Sequence, residues 1–184
     1  MISNTLPALL IPALLLSQSV SAHMALAEPP PRRSPHNPHP VGGIDWDMTT
    51  PLQGSSQFPC KRAPAGPNVR TYKAGTSIVT TLDGSARHNG GHCQFSLSYD
   101  QGKTFVVLRT IMKDCLKSDS SYSVDLPKDI PGGDVIFAWS WVNAMGNREY
   151  YMNCADVHID GSGSEVTGPA LLVANLDGYP TIGE

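Results

Sequence analysis

Through most of the second half of the chain, apolar and polar positions alternate with a period of two, which predicts strands. Cys93, Phe95, Leu97 and Tyr99 alternate with Gln94, Ser96 and Ser98, the pattern of a half-buried strand. Asp100-Gln101-Gly102-Lys103 reads as a hairpin loop into the β-branched run Thr104–Ile111. Upstream, Ser77–Leu82 is β-branched and apolar and ends at the turn Asp83-Gly84. Downstream, Ser121–Leu126 is a weaker strand closed by Pro127, and Asp134–Val142 puts Val135, Phe137, Trp139 and Trp141 on one face. Glu149–Ile159 follows, and Leu171–Ala174 is the expected last strand. No long stretch has helical periodicity. Short strands separated by Gly/Pro turns predict an all-β, immunoglobulin/fibronectin-like two-sheet β-sandwich with long loops.

Two segments break the pattern. Leu6–Leu16 is an almost continuous apolar run, followed by polar Ser17–Ser21 and the small-residue ending Val20-Ser21-Ala22. This reads as a signal peptide over residues 1–22, although no Lys or Arg precedes the run. The run is short for a membrane span, so a secreted, extracellular product with no membrane partner is expected. Residues 23–184 are then one domain of a size that buries a proper core. The second segment, Glu28–Gly43, is crowded with proline, which excludes a regular helix or a central strand. It is read as an arm lying across the surface near the domain's first residue, or as a flexible linker.

The net charge of −3 lies wholly beyond the leader, and Arg32-Arg33 is too small a basic patch to reverse it. Nucleic acid is therefore not an expected partner. Nothing in the sequence points to oligomerisation, and a monomer is expected. Cys60, Cys93, Cys115 and Cys154 lack the spacing of a zinc site, so two disulfides are expected in a secreted chain. Cys93 and Cys115 flank a hairpin-like stretch, which favours joining them and leaves Cys60 with Cys154.

Cleavage after Ala22 makes His23 the first residue. An N-terminal histidine offers a metal both its α-amine and its imidazole, and the amine's ordinary pKa of roughly 7.7–8.0 lets it deprotonate near neutrality. Further imidazoles come from Gly84–Cys93, where His88 and His92 are spaced i, i+4; Gly90-Gly91 between them argues against a helical zinc pair. Two solvated loop histidines are the plain alternative. A third element is Gly146–Ala155, where strand alternation sets Glu149 and Tyr151 on one face and Tyr150, Met152 and Cys154 on the other. If Cys154 turns inward near the sheet interface, Glu149 and Tyr151 have no obvious core role. A surface ion pair of Glu149 with Arg148 is the alternative.

These segments together resemble the fungal lytic polysaccharide monooxygenases of auxiliary-activity family 11, whose known members attack chitin. The resemblance rests on His23-Met24, on the run from His88 through Gly90-Gly91, Cys93-Gln94, Leu97 and Tyr99-Asp100, on Trp139-Ser140-Trp141, and most specifically on Gly146–Cys154. It implies one copper ion cycling between Cu(II) and Cu(I), held by the amine and imidazole of His23 and the imidazole of His88. Tyr151 is similar to the family's axial tyrosine and Glu149 to its oxygen-positioning carboxylate. Nitrogen-rich tetragonal coordination suits Cu(II). The implied activity is oxidative cleavage of glycosidic bonds in chitin or a related polysaccharide, at C1, with an external electron donor.

The sequence departs from the family in three ways. His92 stands where relatives carry a small residue and is read as a surface or substrate contact or as a competitor for copper. Leu171–Tyr179 lacks the usual cysteine, and the chain is short. A non-catalytic histidine-brace copper protein of the cell surface is the main rival reading, disfavoured by the retained Glu149 and Tyr151. A carbohydrate-binding module would use Trp46, Trp139 or Trp141 as a platform, but the last two share a face with Val135 and Phe137 and are expected in the core. A metal-dependent hydrolase lacks a third His or carboxylate ligand near His23 and His88.

Overall fold

The apolar alternations form strands on both sides of one core. The computed structural model describes residues 24–183, so the expected signal peptide, residues 1–22, and His23 lie outside the described residues. The strands are β1 (Met24–Glu28), β2 (Arg70–Lys73), β3 (Ser77–Gly84), β4 (Gly91–Ser98), β5 (Val106–Ile111), β6 (Ser121–Asp125), β7 (Pro131–Asn143) and β8 (Tyr150–Ser162). One sheet has the order β1-β3-β6 and the other β2-β8-β7-β4-β5. All pairings are antiparallel except β2 with β8. The fold is a two-sheet β-sandwich. Among the described residues no helix is long and apolar enough to cross a membrane.

The central strands are buried on both faces. Val135, Phe137, Trp139 and Trp141 of β7 face the other sheet, together with Phe95, Leu97, Ile78 and Tyr151. On the reverse of the same sheet, Ile136, Ala138, Val142, Tyr150, Met152 and Cys154 pack under Leu52, Cys60, Phe105 and Leu176 from the long loops. Cys154 is thus on the outer side of its sheet, bonded to Cys60, and Tyr151 is the residue that faces the sheet interface. This reverses the expected assignment of faces, because β8 is covered from both directions. The second disulfide joins Cys93 to Cys115. The half-buried reading of Cys93–Tyr99 holds only for the start of β4, since Ser96 and Ser98 are buried beneath the outer layer as well.

The proline-rich segment is docked. The Arg32 amide donates to the Cys154 carbonyl (2.7 Å), and its guanidinium grips Asp156 through Nε (2.8 Å) and Nη2. Leu52 N–H donates to the Tyr150 carbonyl (2.8 Å) and Leu26 N–H to Asn153 Oδ1 (2.9 Å). The backbone edge that β8 would otherwise expose is covered in this way. Ser34 and Asn37 are buried, which overturns the flexible-linker reading.

Leu171–Ala174 forms no strand. Only Val107 N–H to the Pro169 carbonyl (2.8 Å), Leu171 N–H to the Phe105 carbonyl (3.2 Å) and a single bridge from Ala170 to Val106 run along β5. Leu172 N–H then turns to Gln94 Oε1 (2.8 Å), and Leu171 and Val173 pack onto the outer core from irregular backbone.

The β4–β5 hairpin is organised by Asp100. Its Oδ1 accepts from Ser98 Oγ (2.8 Å) and Thr104 N–H (2.9 Å), and its Oδ2 from Thr104 Oγ1 (2.6 Å). Desolvation by itself raises the carboxyl's pKa, but the bonds from Thr104, Ser98 and the Lys103 amide outweigh it and hold the group at about 2, against an ordinary 3.8. A carboxylate depressed in the fold stabilises it above the ordinary value and ceases to do so as pH falls through the folded one. Asp100→Asn is expected to flatten the loss of stability between pH 3.8 and about 2, as read by denaturant midpoints across that range.

Candidate active site

One end of the sandwich collects the chemistry-bearing residues. β1 begins there with Met24 opposite Gly84, the last residue of β3. The loop of residues 85–90 follows with His88, β4 then enters with Gly91 opposite Asn143, and β8 leaves with Tyr150 opposite Val142. Met24 is buried in the inter-sheet core and so fixes where the chain enters.

The His88 loop is tied down at several points. Gly90 N–H closes a turn onto the Arg87 carbonyl (2.7 Å), and Ala144 N–H from the β7–β8 connection donates to the Gly90 carbonyl (2.8 Å). His88 and Asn89 have φ of 45° and 57°, a left-handed conformation that non-glycine residues adopt at a cost and keep only where the surroundings enforce it. At Gly91, φ is +146°, and a Cβ would lie 2.1 Å from the Val142 carbonyl oxygen and 2.8 Å from Trp141 Nε1. Only glycine lets the loop approach the sheet this closely.

His88 and His92 part company. The His88 ring lies 5.8 Å from Trp141, and a Cβ at Gly146 would be 3.6 Å from its Nδ1, so it leans over the β7–β8 connection. His92 is on the opposite face of β4, lining a cavity of about 280 Å³ with Gln94, Thr110 and Met112. Its Nδ1 accepts the Lys113 amide (3.1 Å), which leaves the proton on Nε2. Desolvation, then the charges of Arg148 and Lys113, lower its pKa and favour this neutral form. With Nδ1 engaged and Nε2 protonated, His92 is a hydrogen-bond donor and a poor metal ligand.

Tyr151 and Glu149 act as a pair. The Tyr151 ring packs 4.6 Å from Trp141, and its hydroxyl donates to Glu149 Oε2 (2.7 Å). Burial, followed by that hydrogen bond and the glutamate charge, raises the phenol's pKa far above its ordinary value, so it stays protonated. Tyr151 is therefore a core residue whose hydroxyl reaches the end of the sandwich, contrary to the expectation that it has no core role. Glu149 forms no ion pair with Arg148 among the described residues; the three guanidinium nitrogens of Arg148 are buried without hydrogen-bond partners. An imidazole, a neutral phenol and a carboxylate around Trp141 are N and O donors of the kind Cu(II) accepts. Among the described residues no three His, Cys, Asp or Glu side chains converge, and His23 is outside them.

No family model matches the chain. The AA11 family lytic polysaccharide monooxygenase A of Aspergillus fumigatus (strain CBS 144.89 / FGSC A1163 / CEA10) is 44% identical over 173 residues, covering 89% of this chain and 78% of that protein. The chain belongs to the AA11 family of lytic polysaccharide monooxygenases. A second AA11 relative, from Aspergillus oryzae (strain ATCC 42149 / RIB 40), is 31% identical over 95% of this chain but only 47% of its own length. The AA11 family lytic polysaccharide monooxygenase B of Aspergillus fumigatus (strain ATCC MYA-4609 / CBS 101355 / FGSC A1100 / Af293) is 28% identical and likewise spanned for 47% of its length. The crystal structure of a cellulose-active polysaccharide monooxygenase from M. thermophila aligns with a TM-score of 0.50 at 14% identity, over 62% of this chain and 64% of that one, and shares the β-sandwich fold.

In this AA11 chain two residues organise the site that the sequence pattern did not single out for it. Trp141 is the wall shared by His88 and Tyr151. Asn143, fully buried, accepts Glu149 N–H on Oδ1 (2.8 Å) and donates to the carbonyls of Met145 (2.9 Å) and Asn147 (2.7 Å). Asparagine at the end of a strand, just before a tight connection, is the available sequence signal. Trp139 and Trp141 are wholly buried, which rules out the binding-platform reading for both; Trp46 is 78% exposed. Asn143→Ala leaves three part-buried backbone groups without their partner and is expected to lower unfolding free energy by about 1–3 kcal/mol in denaturant titration; Asn143→Asp, which turns a second acceptor and a buried charge onto the Met145 and Asn147 carbonyls, is expected to lose at least as much.

Proposed function

We propose that this protein is a secreted, copper-dependent lytic polysaccharide monooxygenase that cleaves chitin oxidatively at C1. One copper ion would be held by the amine and imidazole of His23 and the imidazole of His88, with the Tyr151 hydroxyl as a further neutral donor. Support comes from the AA11 relatives and from the chemistry gathered where Met24, bonded to His23, opens β1. The observation that carries the reading is the Tyr151–Glu149 hydrogen bond beside Trp141 and His88, because a metal-storage site has no need of a carboxylate positioned so rigidly.

When bound, copper would supply the one-electron chemistry, Cu(II) to Cu(I) with electrons from an external donor, that activates O₂ or H₂O₂. The protein's own groups do the rest. Tyr151, protonated, contributes a weak neutral donor and steers the Glu149 carboxylate through Oε2. Asn143 fixes the Glu149 backbone, so Oε1 is set to hold or deliver a proton at the reacting oxygen. Trp141 closes the base of the site and keeps water from beneath the His88 ring.

The protein beginning at His23, loaded with copper and incubated with chitin and a reductant, is expected to release C1-oxidised chito-oligosaccharides by mass spectrometry, and His88→Ala to abolish them. Copper bound tightly with no oxidised product would contradict the monooxygenase reading and favour a copper-binding protein of the cell surface. In the same series His92→Ala is expected to leave copper affinity unchanged, since its Nδ1 is committed to the Lys113 amide.

A further inference from the structure

Beside the His88 end of the sandwich is an exposed indole on a rigid loop. Trp46 is 78% exposed, whereas the other two tryptophans are wholly buried. It borders a cavity of about 180 Å³ whose wall includes Ala25, Asp45, Thr49, Asp83 and Gly84. Ala25 and Gly84 flank the Met24 position, so this cavity adjoins the chain entry and the start of the His88 loop. Its volume is below the roughly 300–1,000 Å³ of drug-sized pockets and suits a single ring.

The loop that carries Trp46 is braced from several sides. Lys61 Nζ contacts Asp45 Oδ2 (3.2 Å), the Asp47 carbonyl (2.6 Å) and Thr50 Oγ1 (3.1 Å). Asp45 Oδ1 accepts the Asp47 amide (2.8 Å), Asp45 N–H donates to the Arg33 carbonyl (2.8 Å), and Asn153 Nδ2 reaches the Met48 carbonyl (3.3 Å). The indole is thus held out in water on a support that is already ordered, so a ligand that stacks on it meets little cost of arranging the loop. Asp83 spends Oδ1 on the Gly84 amide (2.8 Å), and its Oδ2 has no hydrogen-bond partner among the described residues. The combination is an apolar aromatic face next to carboxylate and hydroxyl acceptors. A pyranose ring has the matching chemistry, with a C–H face to lie on an indole and a rim of hydroxyl donors to meet carboxylate oxygens.

We propose that Trp46, with Asp83 at its side, forms a sugar-binding subsite that grips one ring of the polysaccharide next to the catalytic end. The proposal rests on the polysaccharide reading above and adds to it the residue that anchors the chain beside the reacting bond. Trp46 touches substrate and sets its position; it takes no part in the redox chemistry. The proline-rich arm and the following loop then have a function beyond covering β8, since they present the indole at a fixed place relative to β1.

The test compares wild type, Trp46→Ala, Trp46→Phe and Asp83→Asn for the fraction retained on insoluble chitin and on cellulose. Copper affinity and polymer-free H₂O₂ production from a reductant and O₂ are measured alongside. Trp46→Ala is expected to bind the polymer that wild type binds about fivefold more weakly, Trp46→Phe to recover much of the loss, and Asp83→Asn to weaken binding less. Copper affinity and the polymer-free reaction should be unchanged in all of them. Equal retention of wild type and Trp46→Ala overturns the subsite while leaving the monooxygenase reading intact. Failure of wild type to bind or oxidise either polymer overturns the polysaccharide reading, and the subsite with it.

Discussion

Burial of β7 and β8 on both faces is the constraint from which the rest of the structure follows. A sheet with one solvated face would need only a second sheet; this one needs a second sheet on one side and a layer of loops on the other. The outer layer has little regular structure, so it is held by discrete bonds. Arg32 on Asp156, the Cys60–Cys154 bridge and the Leu172 amide on Gln94 each fasten irregular backbone to the sheet. A disulfide spanning 94 residues restricts the unfolded chain strongly, by about 2–4 kcal/mol, which suits a domain whose outer layer has few ladders of its own.

The same double burial makes a rigid end for the site. Trp141 is wholly buried in the inter-sheet core, and Gly91 lets the β4 backbone come close to its indole nitrogen. His88 and Tyr151 are therefore set by packing against Trp141, while Glu149 is set by the hydrogen bond it accepts from Tyr151 and the one its amide donates to Asn143. Preorganisation of this kind suits a reaction at an exposed surface, where closure of a lid cannot supply the geometry.

Most of the fold was legible in the sequence because its strands either alternate or are runs rich in β-branched and aromatic residues bounded by turns; β3, β4, β5, β6, β7 and β8 all fall on such runs. β1 and β2 were not. Met24–Glu28 is short, with two alanines and a glutamate among its five residues and its strand character imposed by β3, and Arg70–Lys73 is a polar edge strand paired, among the described residues, only with β8. Leu171–Ala174 shows the converse, an apolar run that buries side chains without joining a ladder. At the site, the residue types were legible and their faces were not. Alternation separates Tyr151 from Cys154, but which of the two faces the other sheet depends on the outer loop layer, and no local pattern reports that. The divergence of His88 and His92 was hidden likewise, because it depends on left-handed φ at His88 and Asn89 and on the Lys113 amide from a distant turn.

The central claim is that the first residue of the processed chain completes a copper site with His88 at this end of the sandwich. Electron paramagnetic resonance of the Cu(II) protein beginning at His23, compared with a form carrying one alanine ahead of His23, tests it most directly. An axial, nitrogen-rich spectrum that is lost in the extended form, with copper affinity lower by orders of magnitude, is the predicted result. Identical spectra and affinities for the two forms would contradict it, because the α-amine of His23 would then have no part in holding the metal.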